Sequence, residues 1–102
     1  YMAKSLTGAQ RKYLRGLAHS LRPVVQAGKN GITPELLRAV DEALEHHELI
    51  KVKFVDFKEE KKELTEEIAE RTSSEAVGLI GNVAILYRRQ PDEKKRKVSF
   101  SS

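Results

Sequence analysis

The chain has 102 residues, no cysteine and a formal net charge of +4, with a pI near 9.4. That length suits a single domain, and the lack of cysteine excludes disulfides, thiolate metal sites and thiol nucleophiles. No apolar run approaches the roughly 18 residues of a membrane span, and nothing after Met2 reads as a signal peptide, so a cytoplasmic location is expected. Tyr1, ahead of Met2, reads as an expression scar.

The charge is unevenly placed. Residues 1–34 hold six basic side chains (Lys4, Arg11, Lys12, Arg15, Arg22 and Lys29) and no acid, and residues 76–102 hold six basic against two acidic groups. The stretch between them is acidic. Two basic ends around an acidic middle concentrate positive potential in patches and point to a polyanionic partner, although a solubilising surface gives the same count.

In chain order, Thr7 with Gln10 three positions later forms the signature of a capping box. Tyr13, Leu14, Leu17, Ala18 and Leu21 then repeat at helical spacing, and Pro23 closes the helix. Arg11, Arg15, His19 and Arg22 share another face, which the pattern turns to solvent. Val24 to Ala27 is a short strand. Thr33 as N-cap and Pro34 at the first helical position start a second helix. Leu36, Leu37, Val40, Ala43, Leu44 and His47 should be buried, with Glu35, Asp41, Glu42, Glu45 and Glu48 on the exposed side. Leu49 to Phe57 alternates, Ile50, Val52 and Phe54 facing inward and Lys51, Lys53 and Val55 outward. Glu59 to Ser73 is a charged third helix held by Leu64, Ile68 and Thr72. Ala76 to Ile80 and Val83 to Tyr87 form a hairpin about Gly81-Asn82.

The order α-β-α-β-α-β-β predicts an α/β domain: a single-layer, four-stranded mixed sheet with helices packed on one face and the other face open, Lys51 and Lys53 pointing out of it. Residues 1–5 are expected to be disordered, 6–89 to form the domain, and 90–102 to be a flexible charged tail whose Lys94-Lys95-Arg96-Lys97 adds auxiliary phosphate contacts.

The most informative motif is Gly28-Lys29-Asn30-Gly31 between a strand and a capped helix. Two glycines admit positive φ and close approach of a ligand, and the helix start aims free N–H groups at the same loop. Lys29 adds a charge and Asn30 a donor, a combination suited to a sugar–phosphate backbone in the manner of the G-x-x-G loop of KH domains. An ordinary strand-to-helix connection would look the same. Gly78-Leu79-Ile80-Gly81 matches the pattern too, but its apolar middle belongs in a strand. His46 and His47 diverge by about a hundred degrees on a helix and cannot easily share a metal ion. No catalytic constellation or cofactor motif stands out, and the aromatic side chains are too sparse for a base-stacking platform. The expectation is therefore no enzyme and no cofactor.

Three stretches, Leu14-Arg15-Gly16-Leu17-Ala18-His19, Pro23 to Thr33, and Ala43 to Lys53 with its Glu45-His46-His47-Glu48 core, resemble the CRM domain (chloroplast RNA splicing and ribosome maturation). Ile80 to Arg88 is similar to its closing hairpin. The resemblance covers about Leu6 to Arg89, is weakest from Phe57 to Ala76, and is nearest to stand-alone bacterial YhbY-type proteins. It implies a fold similar to the C-terminal domain of bacterial translation initiation factor 3. It also implies association with precursors of the large ribosomal subunit and RNA contact through Gly28, Lys29, Asn30 and Gly31. Plant relatives with several such domains act in group II intron splicing; a single domain resembles the ribosomal branch.

Together these readings predict a monomeric binder of ribosomal RNA. Its contacts would come from the loop, from Arg11, Lys12, Arg15 and Arg22 of the first helix, and from Lys51, Lys53 and Arg88. The alternative is a protein-interaction module that docks a ribosomal protein or assembly factor on the open sheet face.

Overall fold

The structure, a computed structural model, describes residues 6–56, 59–92 and 94. Expectations that fall on residues 1–5, Phe57 and the basic run after Lys94 lie outside the described residues. In chain order the elements are α1 (Gly8–Ala18), β1 (Val25–Ala27), α2 (Pro34–His47), β2 (Leu49–Phe54), α3 (Lys61–Arg71), β3 (Glu75–Ile80) and β4 (Val83–Tyr87), which is the expected sequence of elements.

Local chemistry sets most boundaries. The Thr7 hydroxyl accepts from the Gln10 amide at 3.0 Å and the Gln10 side chain accepts from the Thr7 amide at 2.9 Å, completing the capping box of α1. Thr33 Oγ1 accepts from the Leu36 amide at 3.0 Å, and Pro34 opens α2 where no amide hydrogen is needed. Gly81, at φ 59°, makes the β3–β4 turn.

The strands form one mixed sheet in the order β1-β2-β4-β3. β1 runs parallel to β2, and β4 is antiparallel to both β2 and β3. Both helical crossovers thus join parallel strands. The second skips one position, which β4 fills afterwards.

Alternation along the strands divides the molecule into two cores. Val25, Ala27, Ile50, Val52, Phe54, Ala84 and Leu86 pack on the first face beneath α2 (Leu36, Val40, Leu44) and α3 (Ile68, Ala69). Leu49, Val77, Ile85 and Tyr87 point from the second face and are covered by Leu14 and Ala18 of α1. Helices packed on one face alone is thus corrected: α2 and α3 share a face, and α1 crosses the opposite one. The reason is apolar area. Only half of the second face is basic; the other half is a patch whose residues each gain roughly 1.5–3 kcal/mol by burial.

Further positions depart from the pattern, among them His47, expected to be buried and found exposed, and two that tie the end of the sheet together. Glu48, expected on the exposed side of α2, is fully buried at φ 63°. Its carboxylate accepts from the Gln90 amide at 2.7 Å and its carbonyl from the Arg88 amide at 2.9 Å, so it ties the end of α2 to the end of β4. A non-glycine residue in that region costs about 1–3 kcal/mol, which these buried bonds offset. Gln90, assigned from sequence to a flexible tail, is itself buried, with its side chain donating to the Glu45 carbonyl at 3.0 Å.

Candidate nucleic-acid interface

The Gly28–Gly31 loop leaves the end of β1 and enters α2. A hydrogen bond from the Gly31 amide to the Gly28 carbonyl, 3.0 Å long, closes it into a turn. Gly31 adopts φ 67°, a conformation that costs other residues about 1–2 kcal/mol. Gly28 has no positive φ, so of the two glycines only Gly31 uses the freedom that both offer. A side chain on Gly28 would meet only Val55, at an ordinary 4.0 Å, so nothing within the described residues demands glycine there. Lys29 and Asn30 are exposed at the tip. No hydrogen bond or ion pair with other described residues holds Lys29.

Beside the loop lies the half of the second sheet face that α1 leaves uncovered. Strand register places Gln26 opposite Lys53, Lys53 opposite Val83, and Val83 opposite Ile80. These four form one row across all four strands, about 14 Å long at the usual spacing of roughly 4.8 Å. Gln26, Lys53 and Ile80 are exposed in it, Ile80 to 63%. Further along β2, Lys51 reaches the connection that follows α1, its ammonium donating to the Leu21 carbonyl at 3.0 Å. Arg15 completes the border, donating to the Val77 carbonyl at 3.0 Å. Its aliphatic stem lies over Gly78, where an added Cβ would come within 2.9 Å of Arg15 Cδ. Helical spacing puts Lys12 on the same edge of α1 as Arg15 and His19.

From loop to helix this surface is cationic, and none of the side chains just named is a carboxylate. Two exposed acids, Glu35 in the first turn of α2 and Asp56 just past β2, stand at the loop end of the sheet; the larger group of exposed acids is elsewhere. Asp41, Glu42, Glu45, Glu63, Glu66 and Glu70 stand on α2 and α3, which back the first face. Among the described residues the second face is thus the more cationic side and the helices of the first face the more acidic, a difference that favours a polyanion on the second face.

The family model for the CRS1 / YhbY (CRM) domain matches residues 6–88, nearly the whole described chain. The chain belongs to this family. A relative from Haemophilus influenzae, named an RNA-binding protein, is 42% identical over 91 residues, covering 88% of this chain and 92% of the relative. The "Probable RNA-binding protein YqeI" of Bacillus subtilis is 37% identical over 91 residues, covering 88% and 95%. A solution structure of a hypothetical protein from Staphylococcus aureus superposes with a TM-score of 0.77 at 42% identity, covering 92% of this chain and 99% of that one.

Within this CRM domain several basic residues singled out from sequence are not gathered at the loop. Arg11 faces the start of β3, where its guanidinium pairs with Glu75 and donates to the Ala76 carbonyl at 2.9 Å. Arg22 lies beside a separate apolar hollow of about 620 Å³ shared with Leu17, Leu21, Val24 and His47, at the opposite end of the sheet from the loop. Arg88 points away from the second face. It pairs with Asp41 at 2.6 Å and Glu45 at 3.5 Å, donates to the Thr72 carbonyl at 2.8 Å, and is only 17% exposed. Its guanidinium joins α2 to the end of α3. Arg88→Ala should lower stability by about 1–3 kcal/mol and leave RNA affinity within about twofold. Melting curves and a binding titration on one preparation check this.

Sequence reading missed Gln26, Ile80 and Val83 as part of this surface. Gln26 carried a signal, a polar residue between the apolar Val25 and Ala27. Ile80 and Val83 carried none, since apolar strand residues give no sign of which face is left uncovered.

Proposed function

We propose that this CRM domain binds RNA, with the Gly28–Gly31 loop and the uncovered basic half of the second sheet face as one continuous contact surface. The observation that carries the reading is the row of cations from Lys29 past Gln26 to Lys53, Lys51 and Arg15, set against acidic helices on the other side. Lys29 and Lys53 are not spent on the fold, and Gly28 leaves space that a phosphate can use. Backbone contact dominates such a surface, because its cations are suited to neutralising phosphates. Names of relatives that call them RNA-binding proteins support the same reading. The RNA is ribosomal, from precursors of the large subunit, and the protein assists assembly as a passive binder, not an enzyme; the resemblance to the YhbY-type branch is the support for this part.

Phosphate contacts made by about four of Lys12, Arg15, Lys29, Lys51 and Lys53 give a log–log salt slope of roughly −3 to −4. Affinity measured by fluorescence anisotropy should therefore fall about 50- to 150-fold between 50 and 200 mM salt, by the same relation. A flat response would overturn the electrostatic reading. It would instead favour the protein-docking alternative, for which the exposed Ile80 on the same face is the supporting observation. Crosslinking in cells followed by sequencing should recover large-subunit ribosomal RNA; enrichment of another RNA class would remove the ribosomal part alone.

A further inference from the structure

Between α1 and the uncovered half of the sheet is a concavity of about 210 Å³, room for roughly seven waters at about 30 Å³ each. Its walls are of two kinds. Pro23, Ile80, Val83 and Ile85 supply an aliphatic floor, and Arg15, His19 and Lys51 stand around the rim. The rim cations are held in place from within the chain. Arg15 is fixed by the Val77 carbonyl and by the missing side chain of Gly78, and Lys51 by the Leu21 carbonyl. Each keeps further N–H groups for a ligand, since a guanidinium has five donors and an ammonium three.

We propose that this concavity holds one unstacked base of single-stranded RNA together with its phosphate, and that it prefers bases whose edges present carbonyl acceptors. The proposal rests on the RNA-binding reading above and deepens it. An aliphatic side chain from a protein partner would cover the floor but leave three polar groups desolvated without partners. A phosphate alone would pair with the rim and leave the floor wet. A nucleotide satisfies both, with a planar face for the aliphatic residues, an acceptor-bearing edge and an attached anion. Selectivity follows from the rim's chemistry. Arg15 and Lys51 only donate, so an edge with two acceptors, the carbonyls of uracil or the O6 and N7 of guanine, suits both, whereas cytosine and adenine set an exocyclic amino donor beside an acceptor and oppose one rim donor. The volume admits one base and not a stack, so selectivity acts at a single position within an otherwise backbone-dominated contact.

The test uses the full chain with 12-nucleotide oligo-U and oligo-C, of equal length and charge, titrated by anisotropy at fixed salt. Oligo-U should bind about tenfold more tightly. Ile80→Ala changes an exposed side chain and leaves the fold intact. It should weaken oligo-U about fivefold, narrow the ratio of oligo-U to oligo-C affinity, and leave the salt slope unchanged because no charge is altered. The methyl resonances of Ile80, Val83 and Ile85 should shift on adding oligo-U. Equal affinities for the two RNAs, with Ile80→Ala silent and the methyl signals still, would overturn the base pocket while salt-dependent RNA binding stood. Absence of salt-dependent binding to any RNA would remove the underlying reading as well.

Discussion

Lys29→Glu combined with Lys53→Glu should lower RNA affinity about a hundredfold or more while the melting temperature stays within about 8 °C of wild type. Each side chain is exposed and makes no bond to other described residues. Removing it therefore costs the fold little, within about 0.5 kcal/mol. Each is placed for one charge-assisted contact of about 1.5 kcal/mol, a factor of roughly ten. Reversal adds repulsion beyond the lost contact, and the salt slope should become shallower by about two. The pair is cleaner than any combination with Arg15, whose guanidinium also holds the Val77 carbonyl and would confuse binding with stability. Wild-type affinity in the double variant, measured beside a melting curve, would show that RNA does not lie along the loop and the β2 row.

The largest expected loss of stability lies at the opposite corner. Glu75 is only 6% exposed, and Arg11, 32% exposed, is its ion-pair partner. Arg11→Met leaves a carboxylate buried without its cation. A fully buried pair broken this way costs about 3–5 kcal/mol; the partial exposure of Arg11 reduces that to about 2–3 kcal/mol. The melting temperature of a domain this size should fall by roughly 10–20 °C. Glu75→Gln in the Arg11→Met background should recover part of the loss, since it removes the stranded charge. RNA affinity at low temperature should be unaffected. A fall in affinity without a fall in melting temperature would return Arg11 to the binding surface.

These expectations differ from a sequence-only reading for one traceable reason. Arg11, Leu14, Arg15 and Ala18 occupy one helical face, positions i, i+3, i+4 and i+7, and this is the face that α1 lays on the sheet. The apolar Tyr13, Leu17 and Leu21, which periodicity alone assigns to the core, remain exposed. Edge strand β3 offers the carbonyls of Ala76 and Val77 and the buried Glu75; the two arginines bond both carbonyls and one carboxylate oxygen, leaving Glu75 Oε1 without a partner among the described residues. Hydrophobic periodicity registers apolar area; it does not register unpaired carbonyls contributed by a strand some sixty residues further on.

Much was legible before any coordinates. The caps at Thr7 and Thr33, the alternation through β2, the Gly81 turn and the glycine-bracketed loop are short-range features, each encoded within a few neighbouring residues. They set the element order and the mixed sheet, and with the residues shared with CRM domains they identify the family. What only the tertiary structure decided was allocation: which face α1 covers, which cations the fold consumes, and which half of the sheet stays open beside the loop. Those outcomes depend on long-range pairing of buried charge and carbonyl groups. Arg11, Lys53 and Arg88 look alike along the chain because their partners, or the absence of partners, are fixed only when distant strands and helices meet.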